Sequence, residues 1–223
     1  RRSDAIASGG QEGASVLVIA IAKGRFLEPS LDLLARAHIE FEENPAESRR
    51  LIFDSTNGQC RVILVKPMDA PTYVEYGAAD AGITGRDVLI ESQADVLQPL
   101  DLGFGHCKIA VAAPTRATKD GQPTRTVVRV ATKYPHIALE HFNAQGIAVE
   151  IIPLSGSIEL APLVGLADQI VDLVESGRTL ADNGLGIVEV IAESSARLIV
   201  NRASYQTKRE EIVQMVETLE GLV

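Results

Sequence analysis

The residues best suited to chemistry stand together in Gln169-Ile-Val-Asp172-Leu-Val-Glu175-Ser176-Gly177-Arg178-Thr179-Leu180. An aliphatic run delivers Asp172, and a tight Ser-Gly-Arg-Thr turn begins four residues later, just ahead of a helical stretch. Glycine lets the backbone approach an anion closely, while hydroxyls and the N–H groups of a helix start supply donors. Those parts suit a terminal phosphate. Asp172 sits where a carboxylate accepts hydrogen bonds from two sugar hydroxyls, so the segment has what a ribose 5-phosphate needs. The same residues also read as a strand ending in an ordinary capped turn, with Thr179 as its N-cap.

A second group, Lys23-Gly24-Arg25, follows the first aliphatic run. Open α/β sheets take ligands at the carboxyl ends of their strands, and a cation pair flanking glycine there suits a pyrophosphate. Two solvated basic residues in a turn are the alternative. Arg49-Arg50 reads first as a charged surface pair, and Arg86-Asp87 after Gly85 as an ion pair or helix cap. Other chemistries find no support. There is no GxxxxGK[ST] loop and no GxGxxG after a strand. His38, His106, His136 and His141 lie near no serine or cysteine nucleophile motif. Cys107 beside Lys108 reads as a buried structural thiol ahead of a reactive one.

Alternating elements must position these groups. Strands are expected at Val16–Ala22, Arg61–Lys66, Asp80–Thr84, Lys108–Ala113, Val127–Thr132, Ile147–Leu154, Gln169–Val174 and Arg197–Val200. Helices are expected through Leu27, Leu31 and Leu34; from a cap at Asp69 to near Gly77; and from Asp87 to Glu91. Others are expected over Pro135–Asn143, from a cap at Ser157 through Leu160, Leu163 and Val164, and through Ile212, Met215, Val216 and Leu219. The run Val74–Asp80 leads into a strand, a glycine turn and a helix, and Val164–Asp168 leads into the same succession. Two lobes on one plan would face each other across a cleft.

Composition agrees. The 223 residues are 46% apolar and 23% charged, with no Trp and 4% aromatics, so aliphatic side chains must fill the core. Such a core suits parallel strands covered by helices. A net charge of −9 argues against nucleic acid as a partner. Cys60 and Cys107 have no metal-ligand or disulfide spacing, which fits a reducing compartment. The longest apolar run, Val16–Ala22, is too short to span a bilayer. Residues 1–15 lack the order of a signal peptide and read as a flexible tail. The expectation is a cytoplasmic protein without membrane contact.

Together and in this order, these residues resemble the ATP phosphoribosyltransferase family from about Val16 to Leu219. The resemblance is carried by Ala22–Arg25, Asp69–Asp80, Gly82–Leu89, Leu100–Gly105, Arg129–Pro135 and, most specifically, Glu159–Leu180. Ala22 departs from the family, where Pro often precedes Lys-Gly-Arg. The resemblance implies an α/β fold of two periplasmic-binding-protein-like (type II) lobes with an interlobe active-site cleft. By that analogy residues 16–100 plus 185–223 form lobe I and 101–184 form lobe II.

The implied reaction joins adenine N1 of ATP to phosphoribosyl pyrophosphate, the first step of histidine biosynthesis, with Mg2+ carried by the pyrophosphate and triphosphate substrates and no protein metal site. Arg25, Arg49 and Lys23 are then the catalytic candidates. Asp168, Asp172, Glu175, Ser176, Gly177, Arg178 and Thr179 would bind phosphoribosyl pyrophosphate, and Gly24, Gly82, Thr84, Gly85 and Glu159 the nucleotide. The chain ends at Val223 without the long form's regulatory domain, which implies a short-form subunit. Its partners would be a regulatory subunit resembling histidyl-tRNA synthetase and a second catalytic subunit. Two rivals stand beside this reading. A nucleobase-salvage phosphoribosyltransferase would carry two adjacent acids, whereas Leu173 follows Asp172. A non-catalytic two-lobed small-solute binder or effector-sensing module would explain the cleft alone.

Overall fold

The computed structural model describes residues 16–115 and 126–223, so the tail expected at 1–15 lies outside the described residues. The first sheet is laid down by β1 (Leu17–Ala22), β2 (Ile52–Asp54), β3 (Cys60–Val65), β4 (Ala81–Gly85) and β5 (Leu97–Asp101). Between them run α1 (Leu27–Arg36), a 3-10 turn over Pro67–Asp69 leading into α2 (Ala70–Glu75), and α3 (Arg86–Ser92). The chain then builds β6 (Cys107–Pro114), β7 (Val128–Thr132), α4 (Pro135–Ala144), β8 (Val149–Pro153), α5 (Leu160–Leu163), β9 (Gln169–Val174), α6 (Arg178–Asp182) and β10 (Leu185–Ser194). It returns through β11 (Ala196–Val200), α7 (Arg202–Thr207) and α8 (Arg209–Glu220).

These strands make two sheets, ordered β2-β3-β1-β4-β11-β5 and β10-β6-β9-β7-β8. The sheets share a plan: β3-β1-β4 and β8-β7-β9 are parallel triplets, each followed by an antiparallel neighbour, β11 or β6. Central strands buried on both faces need continuous aliphatic runs. Ile19, Ile21, Val62 and Ile83 supply them in the first sheet, Ile109, Val130 and Ile170 in the second. One core covers the first sheet, with Leu34 of α1 and Ile212 and Leu219 of α8 packed in. Separate clusters cover the two faces of the second sheet: Ile158, Ala161 and Ile170 on one, Val130, Ile137 and Phe142 on the other. The architecture is α/β in two lobes.

Several expectations change. β10 pairs with β6 from Leu185↔Pro114 to Ser194↔Cys107, so residues 185–194 extend the second sheet and not lobe I, where the sequence reading puts them. The chain crosses between sheets near 101–107 and again at 194–196. β2, β5 and β10 are additions to the expected strands. Asp69 and Ser157 make no side-chain caps: α2 follows a 3-10 turn, and α5 begins only at Leu160.

Candidate active site

Strand direction brings the chemistry-bearing loops together. The parallel strands β1, β3 and β4 end at Ala22, Val65 and Gly85 on one edge of their sheet. β2 runs antiparallel to β3, so the loop carrying Arg49 and Arg50 arrives at that same edge. It stands two strand spacings from β1, about 10 Å. In the second sheet Thr132, Pro153 and Val174 end parallel strands on one edge, which also holds the start of β6 and the end of β10. A cavity of about 260 Å³ joins the two lobes. Arg25 lines it from the first, and Glu159, Asp172, Glu175, Ser176, Gly177 and Thr179 from the second. Another cavity of about 260 Å³ lies at the far edge of the first sheet, among Leu17, Ile39, Met215 and Leu219; Glu211 lines it and no Lys or Arg does, so it brings no Lys or Arg cation to a phosphate.

The loop after β9 is shaped by Gly177, whose φ of +74° lies in the left-handed region that favours glycine. Arg178 N–H points toward Ser176 Oγ at 3.4 Å, and Asn183 Nδ2 donates to Thr179 O at 2.8 Å across α6. Buried Leu180 fixes the turn to the core. Asp172 accepts its neighbour Leu173's N–H at 2.8 Å. Burial pushes its carboxyl up to about 6; Glu159 and Asp87 add to that, while the Leu173 N–H and Lys133 oppose it. The group is a carboxyl facing the cavity with few donors around it.

Arg25 is held on two sides. Its guanidinium lies 4.5 Å from the Phe26 ring centroid, and Nη2 reaches Asp87 Oδ1 at 3.3 Å. Asp87 is only 2% exposed. It also accepts from Ser194 Oγ at 2.7 Å and from the Tyr134 hydroxyl at 2.9 Å. Burial, with the Asp87 carboxylate beside it, raises the Tyr134 pKa and keeps that hydroxyl a donor.

The other predicted site residues separate. Lys23 and Gly24 are exposed at the end of β1, and Arg49 is exposed at the same edge without lining the cavity. Arg178 is exposed at the head of α6 and does not line the cavity. Asp168 stands before β9, at the opposite end of that strand from the loop, in a two-pronged pair with Arg129 (2.9 and 3.3 Å). Gly82, Thr84 and Gly85 are buried and serve packing. A Cβ at Gly82 would lie 2.8 Å from Val74 Cγ2, and one at Gly85 2.1 Å from Asp87 Oδ1. Thr84 is fully buried with its hydroxyl toward Pro67 O. Sequence reasoning misses Tyr134 and Ser194 and gives Asp87 a pairing or helix-capping role first, with ligand contact second. The glycine two residues before Asp87 is the available signal. Among the described residues no three His, Cys, Asp or Glu side chains gather as a metal site, and no helix is long and apolar enough to cross a membrane.

The chain is similar to known proteins along most of its length. A family profile described as ATP phosphoribosyltransferase matches residues 66–221. The ATP phosphoribosyltransferase of Citrifermentans bemidjiense is 49% identical over 92% of this chain and 97% of its own length. That of Acidithiobacillus ferrooxidans is 50% identical over 93% and 97%. The structure of the ATP phosphoribosyl transferase (HisG:HisZ) complex from Thermotoga maritima superposes with a TM-score of 0.82 at 36% identity, covering 92% of this chain and 98% of that one. A substrate-binding protein of an amino acid ABC transporter, 12% identical with a TM-score of 0.54 over 93% of this chain and 94% of its own, shares the fold alone. The chain belongs to the ATP phosphoribosyltransferase family, the enzymes of the first step of histidine biosynthesis.

Proposed function

We propose that the interlobe cavity is where phosphoribosyl pyrophosphate binds and where adenine N1 of ATP attacks the ribose. The observation that carries this is the placement of Arg25 from one lobe against the Asp172–Leu180 loop of the other in a single cavity. The Ser176–Thr179 turn holds the 5-phosphate with its N–H groups and hydroxyls, and Asp172 accepts from the ribose hydroxyls. Glu175 lines the same cavity, and Glu159 faces the nucleotide. Arg25 meets the departing pyrophosphate, as its fork matches phosphate oxygens. Lys23 assists from the end of β1, and Arg49, at the same sheet edge, is the second such cation.

The step forms the N1–C1 bond and breaks the bond from C1 to the pyrophosphate oxygen, with inversion; the electron pair leaves with pyrophosphate. N1 has a free lone pair, so no base is needed to make the nucleophile. Positioning and charge stabilisation are what the protein supplies. Mg2+ enters with the substrates' phosphate groups, whose own oxygens supply most of its ligands. By extension from the two-component Thermotoga maritima complex, this chain works as a catalytic dimer with a HisZ-type regulatory subunit resembling histidyl-tRNA synthetase.

The test is formation of phosphoribosyl-ATP from ATP and phosphoribosyl pyrophosphate in single-turnover mode. Arg25→Ala should slow the chemical step about 10²–10³-fold, the scale for one lost transition-state donor. Asp172→Ala should weaken phosphoribosyl pyrophosphate binding. An unchanged chemical step in the first variant, or an unchanged Kd in the second, removes the corresponding role.

A further inference from the structure

We propose that Asp87 and Tyr134 are positioning residues that orient Arg25 relative to the ribose-phosphate loop; this rests on the reading of Arg25 above. Arg25 sits on the loop after β1 with its side chain 32% exposed, so unaided it would sample many rotamers. Asp87 removes that freedom. A carboxylate this buried must be compensated, and here the donors come from three separate places. Oδ1 takes Arg25 Nη2 at 3.3 Å and Ser194 Oγ at 2.7 Å, and Oδ2 takes the Tyr134 hydroxyl at 2.9 Å. The Ser194 hydroxyl in turn accepts the Asp87 N–H at 2.9 Å, which closes the arrangement.

The backbone makes room for it. Gly85 leaves the space into which Asp87 folds back, since a Cβ there would lie 2.1 Å from Oδ1. Gly105 does the same for Phe26, the floor under the guanidinium, because a Cβ would come 2.4 Å from Phe26 Cε1. Arg25 and Asp87 belong to the lobe built on the first sheet. Tyr134 enters α4 just after β7, the immediate neighbour of β9 in the second sheet. One buried carboxylate therefore references the cation of one lobe to the framework that carries the phosphate loop of the other. Placing a leaving-group donor to within a fraction of an ångström is worth orders of magnitude in rate.

A double-mutant cycle on the full chain tests this, with kcat, KM and the single-turnover rate measured for each variant and thermal midpoints recorded alongside. Asp87→Asn keeps the size, removes the charge and exchanges one acceptor oxygen for an N–H donor. It should lower kcat about 10–100-fold while KM for phosphoribosyl pyrophosphate moves less than about threefold, and in an Arg25→Ala background it should cost less than about threefold. Tyr134→Phe should lower kcat about three- to tenfold in the parent and leave Arg25→Ala unchanged. If either substitution costs the same factor in both backgrounds, the group acts independently of Arg25 and the proposal falls. Should Asp87→Asn fail to fold, the Tyr134→Phe cycle decides alone. Full activity in Arg25→Ala itself overturns the role given to Arg25, an outcome distinct from additivity in the cycle.

Discussion

Asp168 does at the start of β9 what Asp80 does at the start of β4. The Asp80 N–H donates to Val18 O at 2.8 Å, and its carboxylate accepts the Val18 N–H at 2.9 Å. The Asp168 N–H donates to Arg129 O at 2.8 Å, and its carboxylate accepts the Arg129 N–H at 3.0 Å. A cation completes each clasp, Lys208 at 2.8 Å and Arg129 at 2.9 Å. Asp168 therefore pins neighbouring parallel strands, at the opposite end of β9 from the Ser176–Thr179 turn. Asp168→Ala should cost about 1–3 kcal/mol through the lost charge-assisted hydrogen bonds. Urea denaturation checks the loss, and KM for phosphoribosyl pyrophosphate should stay unchanged in the folded fraction.

Asp172 carries the opposite kind of burden. Burial first, then Glu159, lifts its folded pKa to about 6 from 3.8. The folded state thus holds that proton more tightly than the unfolded chain. Relative stabilisation from the proton is complete below the unfolded pKa and is lost as pH rises through about 6. Asp172→Asn, which cannot ionise, should gain roughly 1–3 kcal/mol over the parent at pH 7.5 and nothing near pH 3.5. Thermal melts across that range decide it. The same variant should bind phosphoribosyl pyrophosphate more weakly, so stability and binding trade off at one carboxyl.

Glu91 of α3 accepts the backbone N–H groups of His136 and Ile137 at 2.9 and 3.0 Å. Those are free donors of the first turn of α4, so a residue of one lobe caps a helix of the other. Glu91→Ala should cost about 1–2 kcal/mol. Hydrogen exchange should quicken at the His136 and Ile137 amides, while the amides of β1 keep their protection.

Gly82 has no room for a side chain. Its Cβ would meet Val74 Cγ2 at 2.8 Å and Ala20 O at 3.0 Å. Gly82→Ala should destabilise by about 1–3 kcal/mol from overpacking. The KM for ATP should hold in protein that remains folded, which would place this glycine in the core and outside the nucleotide site.

How much of this is legible in the sequence depends on how local each signal is. β1, β4, β7 and β9 announce themselves as aliphatic runs closed by turns. β10 does not, because bulges between Ile187 and Glu189 and between Val190 and Ala192 break its alternation. β5 holds Pro99, which an edge strand tolerates and a sequence reading discounts. β2 is three residues at the opposite edge. The loop after β9 is readable because its parts lie within nine residues of chain, Asp172 to Leu180. The set around Asp87 is not, since it gathers residues from 25, 87, 134 and 194 that meet only in the folded chain. Asp168 misleads because it adjoins a strand that ends in the site; its true partner is 39 residues away in sequence.

The two passages between sheets run side by side. Leu102 N–H donates to Ala196 O, and Ala196 N–H to Phe104 O, each at 2.9 Å. Ser195 Oγ reaches both carboxylate oxygens of Asp101 at 2.9 and 3.0 Å. The second lobe therefore leaves and rejoins the first at adjoining points, as a guest inserted into a host. Excision of the guest would leave ends that a short turn could rejoin, and the guest's own ends are near enough for circular permutation. A genome could gain, lose or exchange such a unit in one event, without redrawing the order of the host's central strands.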